Sequence, residues 1–250
     1  MYKILDTEDE VSRYAAQRLL ATIAARPEAV LGLATGGTME PVYARLVERL
    51  QGGAVDASRL TTFNLDEYIG LAPTHPQSYR HYMERHLFAR LGLPRENVHL
   101  PDGLAEDSEA ACRAYSEAIR ALGGLDLQLL GIGSNGHIGF NEPHTRFSCR
   151  THVAPLSAQT RRDNGRFFSD PGEVPTHAIT LGIRDILEAR EIVLVATGPS
   201  KARIMAELYH SPVDEALPAS ALKQHPNVTI LLDREAAALI PLRGQTLKPA

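Results

Sequence analysis

Four short segments hold the residues that could do chemistry. NLDEYIG places Asp66 and Glu67 side by side at the end of a strand-like run. In an extended chain, neighbouring side chains point to opposite faces. One carboxylate can therefore face a pocket while the other makes a structural contact. Asp66 in a partly apolar pocket is a candidate proton-transfer base. GIGSNGHIGFNEP is the densest segment, a glycine-built loop that carries His137 and then Glu142. Histidine titrates near neutral pH and can pass protons. A nearby carboxylate such as Glu142 can orient it or tune its pKa. No GxSxG elbow is present, so Ser134 is a poor candidate for a nucleophile.

The other two segments suit a small anion. LGLATGGTMEP reads as strand, glycine turn and helix start. Gly36 and Gly37 can bring backbone N–H groups close to a phosphate, and Thr35 and Thr38 add hydroxyl donors. A helix beginning near Met39 presents roughly half a positive charge there. TGPSK is a second glycine turn, from which Lys201 can reach a phosphate as a point charge. Neither turn has the GxxxxGK spacing of a nucleoside-triphosphate loop, and a phosphomonoester fits better. Gly131, Gly133 and Gly136 match the dinucleotide pattern GxGxxG. However, Gly139 and Pro143 fall where that pattern needs a long helix, and no acidic residue lies between Glu142 and Asp163 to hold a ribose. His75, His81 and His86 have no carboxylate or cysteine at metal spacing, so no metal site is expected.

These segments need elements to position them. Thr7 and Glu10 have capping-box spacing ahead of an apolar helical stripe running to Ile23. Strand character marks Ala29–Thr35, the start of Arg59–Tyr68, Leu125–Gly133, His177–Ile183, Glu191–Thr197 and Asn227–Asp233. Helical patterns over Met39–Leu50, Ser78–Leu91, Ser108–Leu122 and Lys201–Tyr209 alternate with them. Such alternation predicts an α/β chain, a three-layer Rossmann-like fold with a mainly parallel central sheet and helices on both faces. In such sheets ligands bind beyond the carboxyl ends of the strands, where all four segments fall. The stretch 144–175 has few strand or helix signals. Long irregular stretches of this kind are often lids.

Composition narrows the function classes. The chain has 250 residues, 30 acidic and 26 basic, with 44% apolar residues. That apolar content and a net charge of -4 exclude intrinsic disorder and disfavour a nucleic-acid partner. No apolar run approaches the roughly 20 residues that span a bilayer. The opening MYKILDTEDE turns acidic without a signal core. Cys112 and Cys149 are too few for a disulfide framework and read as reduced thiols. A soluble cytoplasmic protein is expected, with one domain over 1–250 and a candidate mobile lid around 144–175.

LGLATGGT, NLDEYIGL followed by HPQSY, GIGSNGHIGFNEP, NGRFF and TGPSKA occur in this order. By these five motifs the chain resembles the glucosamine-6-phosphate deaminases, nearly end to end. The resemblance implies conversion of glucosamine 6-phosphate and water to fructose 6-phosphate and ammonia, without a cofactor, in N-acetylglucosamine catabolism. It implies that Asp66 takes the C2 proton and delivers it to C1. His137 would assist ring opening with Glu142 as its partner. Thr35 to Thr38, Arg166 and Lys201 would hold the phosphate and substrate. Asn135 stands where many members carry aspartate; it can hold the His137 ring but supplies no charge, so the histidine pKa should be raised less. Regulated hexameric members carry serine, arginine and lysine after the EP motif, where Thr145, His152 and Ala154 stand here. That implies a monomer or small homo-oligomer rather than an allosteric hexamer. A 6-phosphogluconolactonase-like hydrolase and a galactosamine-6-phosphate deaminase are the alternatives. A sugar-phosphate sensor without catalysis and a dinucleotide dehydrogenase fit less well.

Overall fold

The computed structural model describes residues 1–53, 55–166, 168 and 170–241. Phe167 of NGRFF and Ser169 of the candidate lid lie outside the described residues. The chain opens with β1 (Tyr2–Leu5), α1 (Glu8–Ala25), β2 (Val30–Leu33) and α2 (Glu40–Gln51). β3 (Thr61–Asn64), β4 (Asp66–Tyr68), α3 (Tyr79–Met83), α4 (Ala89–Leu91) and β5 (Val98–His99) follow. The middle holds α5 (Ser108–Ala121), β6 (Leu127–Leu130), β7 (His152–Pro155) and α6 (Ala158–Gly165). β8 (His177–Thr180), α7 (Ile183–Leu187), β9 (Ile192–Ala196), α8 (Ala202–His210) and β10 (Val228–Asp233) complete it. Thr7 caps α1 as expected, accepting the Glu10 N–H at 3.2 Å, while the Glu10 carboxylate returns to the N–H of Asp6.

Seven strands form one parallel sheet in the order β1-β10-β9-β6-β2-β3-β5. Its central strands β2, β6 and β9 are buried end to end, as their unbroken apolar runs require. Strand order reverses between β2 and β6, so the chain leaves these neighbours in opposite directions. Right-handed crossovers then put α1, α2 and α3 on one face and α5, α7 and α8 on the other. α1 packs against α2, as that placement demands. The reversal opens a crevice at the carboxyl ends of β2 and β6.

Several expectations need correction. The Arg59–Tyr68 run is not one strand. It breaks at Leu65, and β4 enters a second, antiparallel sheet of order β4-β8-β7. The strand over His177–Ile183 is β8 of that small sheet, not part of the parallel one. The 144–175 stretch contains β7 and α6; the shortness of β7 and the polar composition of α6 hid them from periodicity. The Ser78–Leu91 helix is interrupted by a π-helical turn at Glu84–Phe88. β1, β5 and α7 carried too few residues to give a pattern.

A buried carboxylate helps to fix the small sheet to the main body. Asp185 of α7 accepts from the Ser116 hydroxyl of α5 at 3.0 Å, the Thr151 N–H at 2.6 Å and Arg150 at 2.5 Å. Removing this acceptor leaves the buried Thr151 N–H and Ser116 hydroxyl short of a partner, at a cost of about 1–3 kcal/mol each, while Arg150 keeps Glu188. Asp185→Ala should therefore lower the melting temperature by roughly 4–24 °C in calorimetry. A shift within 2 °C would contradict the anchoring role.

Candidate active site

The break at Leu65 sets the first feature of the site. Asp66 and Glu67 are both nearly buried, at 6% and 4% exposure, and the pleat sends them to opposite faces. Glu67 accepts backbone N–H groups from Tyr68, Tyr79 and Arg80, each at 2.9 Å. The last two lie in the first turn of α3, where a carboxylate is favoured. Asp66 lines the pocket, and among the described residues no donor is hydrogen-bonded to its carboxylate. Burial first, and then the charge of Glu67, push its pKa up to about 8. Burial also raises Glu67, but its three backbone donors oppose the rise.

The histidine is held by a relay. His137 Nδ1 lies 2.8 Å from Asn135 Oδ1, which also accepts the His137 backbone N–H at 3.2 Å. The Asn135 amide in turn donates to Glu142 Oε2 at 2.7 Å. With the amide oxygen towards the ring, Nδ1 carries the proton and Nε2 is left as an acceptor. A Cβ on Gly133 would lie 2.2 Å from the ring, so only glycine lets the loop pass under His137. Glu142, expected as the partner of His137, stands 3.9 Å from Nδ1 with the Asn135 amide bridging the two. Burial lowers the His137 pKa and outweighs the opposing charge of Glu142.

Glu142 has a second set of partners. Its other oxygen accepts from the Thr160 hydroxyl at 2.5 Å and the Ser157 N–H at 3.2 Å, at the start of α6. Burial acts to raise the Glu142 carboxyl, but the bond from Thr160, the neighbouring His137 and the bonds from Asn135 and Ser157 hold it below its ordinary value. Asn135 and Glu142 therefore sit behind His137 rather than in the pocket wall.

Both glycine turns meet the pocket. Gly36 has φ 104°, a conformation glycine adopts freely, and a 3-10 turn over Gly37–Met39 leads into α2. The Tyr82 hydroxyl donates to Gly36 O at 2.9 Å and ties the helix after β4 to this loop. In the second turn the Gly198 N–H is held by Asp233 at 2.9 Å, and Lys201 closes a 3-10 turn before α8. Lys201 Nζ is hydrogen-bonded to Ile132 O at 2.7 Å, and burial lowers its pKa. Thr35, Gly36, Gly37, Thr38, Arg166 and Lys201 all line one cavity with Asp66 and His137. Its volume is about 440 Å³. The arrangement can hold a phosphate at one end and move protons at two separated points.

Sequence reasoning missed several contributors. The Tyr68 hydroxyl accepts from Asn164 at 2.9 Å and lies 3.3 Å from that of Tyr79, joining α6, β4 and α3. Asn141 donates to Ile138 O and Leu181 O, each at 2.8 Å, and fixes the histidine loop to the end of β8. Tyr68 and Asn141 lie inside the dense motifs, which was the available signal. Asp163 and Thr160 lie in the stretch read as irregular and had none.

Comparison with known proteins agrees with this geometry. Residues 6–231 match the family described as glucosamine-6-phosphate isomerases/6-phosphogluconolactonase. The chain belongs to that family. It is 49% identical over 233 residues to a glucosamine-6-phosphate deaminase of Geobacillus sp. (strain WCH70), covering 93% of each chain. A solved monomeric glucosamine-6-phosphate deaminase superposes with a TM-score of 0.93 at 45% identity, covering 95% of this chain and 99% of that one. A 6-phosphogluconolactonase from Trypanosoma brucei reaches a TM-score of 0.77 at 21% identity over 96% of this chain and 98% of its own, a likeness of fold alone. The isomerase/lactonase fold is thus shared across the family, while the high identity falls with its deaminase members. No helix among the described residues is long and apolar enough to cross a membrane.

The relay makes a prediction within this family. Asn135→Asp places a carboxylate against Nδ1 and should raise the His137 pKa by about 1 pH unit or more. Titration of the His137 ring signals by NMR checks this. An unchanged or lower value would contradict the neutral-amide account.

Proposed function

We propose that this chain converts glucosamine 6-phosphate and water to fructose 6-phosphate and ammonia, an isomerisation coupled to hydrolysis of a C–N bond. The observation that carries the reading is Asp66: a buried carboxyl with no donor among the described residues, in one cavity with His137 and two glycine turns. The phosphate would sit on Thr35 to Thr38, Lys201 and Arg166. His137 Nε2 takes the proton of the C1 hydroxyl and passes it to the ring oxygen, which opens the pyranose. Asp66 then takes the proton from C2, leaving an enolamine, and returns it to C1. The resulting imine at C2 is hydrolysed by water to the ketone, and ammonia departs. Asn135 and Glu142 are positioning residues that hold the histidine tautomer. Positioned proton transfer of this kind is worth roughly 10²- to 10⁴-fold per group.

We read the whole chain as one catalytic unit, acting as a monomer or small homo-oligomer in cytoplasmic amino-sugar catabolism. α6 and its flanks are its lid, because Glu142 joins the start of α6 to the histidine relay.

Purified protein should release ammonia from glucosamine 6-phosphate without added metal or nucleotide, and more slowly from galactosamine 6-phosphate. Asp66→Asn should lower kcat by at least about 10²-fold while substrate still binds. Folded protein with no ammonia release would overturn the reading, and near-normal turnover in Asp66→Asn would remove Asp66 from its role.

The pH dependence follows from Asp66. The base must be ionised, so kcat/KM should rise with pH and level off above about 8. A rate already flat from pH 5 upward would contradict a raised Asp66 pKa.

A further inference from the structure

Asp163 has the wrong sign for a pocket that takes an anion. It lies on α6 and lines the same cavity as the phosphate loop and Lys201. Both its oxygens are engaged. Oδ2 accepts the Ser134 hydroxyl at 2.8 Å, and Oδ1 accepts from Gln159 at 2.7 Å. Gln159 belongs to α6 itself, but Ser134 belongs to the glycine loop after β6. The bond to Ser134 therefore bridges two walls of the cavity. Its charge acts on Lys201, where it opposes the effect of burial, and on His137. Asp163 and Ser134 are both exposed, and an exposed contact of this kind is weak and readily exchanged. Ser134 also gains a reason: it is no nucleophile, but it is the donor that holds Asp163 in place.

We propose that Asp163 sets the affinity of the substrate pocket for phosphate, a carboxylate that lines the same cavity as Lys201 and opposes an incoming anion. This rests on the reading of Lys201 and the glycine loop as a phosphate site. The carboxylate weakens the hold on inorganic phosphate and on a sugar phosphate alike, so a ligand must bring further contacts to bind well.

Calorimetric titration with inorganic phosphate tests this without relying on turnover. Asp163→Asn keeps the shape and removes the charge, and Asp163→Ala serves as a second variant. Each should bind phosphate about 3- to 10-fold more tightly than the parent protein, the range for removing one unit charge several ångströms from an anion near a surface. KM for glucosamine 6-phosphate should fall in the same direction. Ser134→Ala should give a smaller gain, because the charge remains. In a Lys201→Ala background the gain from Asp163→Asn should shrink, as expected for coupled groups. Phosphate binding no tighter in either folded Asp163 variant would overturn the proposal. So would a gain of full size in the Lys201→Ala background. The phosphate pattern without turnover of any amino-sugar phosphate would leave the Asp163 assignment standing and remove the proposed reaction.

Discussion

Two adjacent carboxylates, buried together and sent apart by the pleat of β4, are the constraint on which the site rests. Burying a carboxylate is costly unless hydrogen bonds compensate it. Glu67 is compensated by three backbone N–H groups, two of them from the first turn of α3. That contact docks α3 on β4 and so places Tyr79 and Tyr82 along the pocket. Asp66 has no such donors among the described residues and holds its proton to about pH 8 instead. The two residues are neighbours of the same charge type with opposite fates, and backbone geometry alone separates them. A fixed Glu67 is the reason an uncompensated Asp66 can stay where it is.

The rest of the architecture brings chemistry to that carboxyl. Strand order reverses between β2 and β6, so loops at their carboxyl ends diverge and leave a crevice. The Gly36–Gly37 loop leaves β2, the histidine loop leaves β6, and the Lys201 turn leaves β9. All three are built on a sheet whose central strands are wholly buried, which gives them rigid roots. The small antiparallel sheet closes the other side. It carries β4 on one edge, and β8 receives the histidine loop through Asn141 and Thr180. Glu142 then links His137, through Asn135, to the first turn of α6. Charge at the histidine and the placement of α6 are therefore one hydrogen-bonded system.

Much of this was legible in the sequence because it depends on local chemistry. Glycine turns after apolar runs, and paired carboxylates in an extended segment, carry their meaning in a few residues. That Asp66 and Glu67 face opposite sides followed from the period of a strand. What was hidden depends on distant partners. The break at Leu65 moves β4 into a second sheet, and nothing in NLDEY marks that change of partner. β7 is only four residues long and α6 is polar, and both are held by Asp185, Glu142 and packing that no periodicity marks. Spacing showed that Glu142 could partner His137, but it could not show that the Asn135 amide would bridge the two.

The central claim is that Asp66 is a buried carboxyl kept protonated by its surroundings until a basic pH. Carbon-13 NMR of the Asp66 carboxyl carbon, assigned by comparison with Asp66→Asn and followed from pH 3 to pH 10, measures this directly. The account predicts a single titration with its midpoint near 8. A midpoint near the ordinary aspartate value of about 3.9 would contradict it.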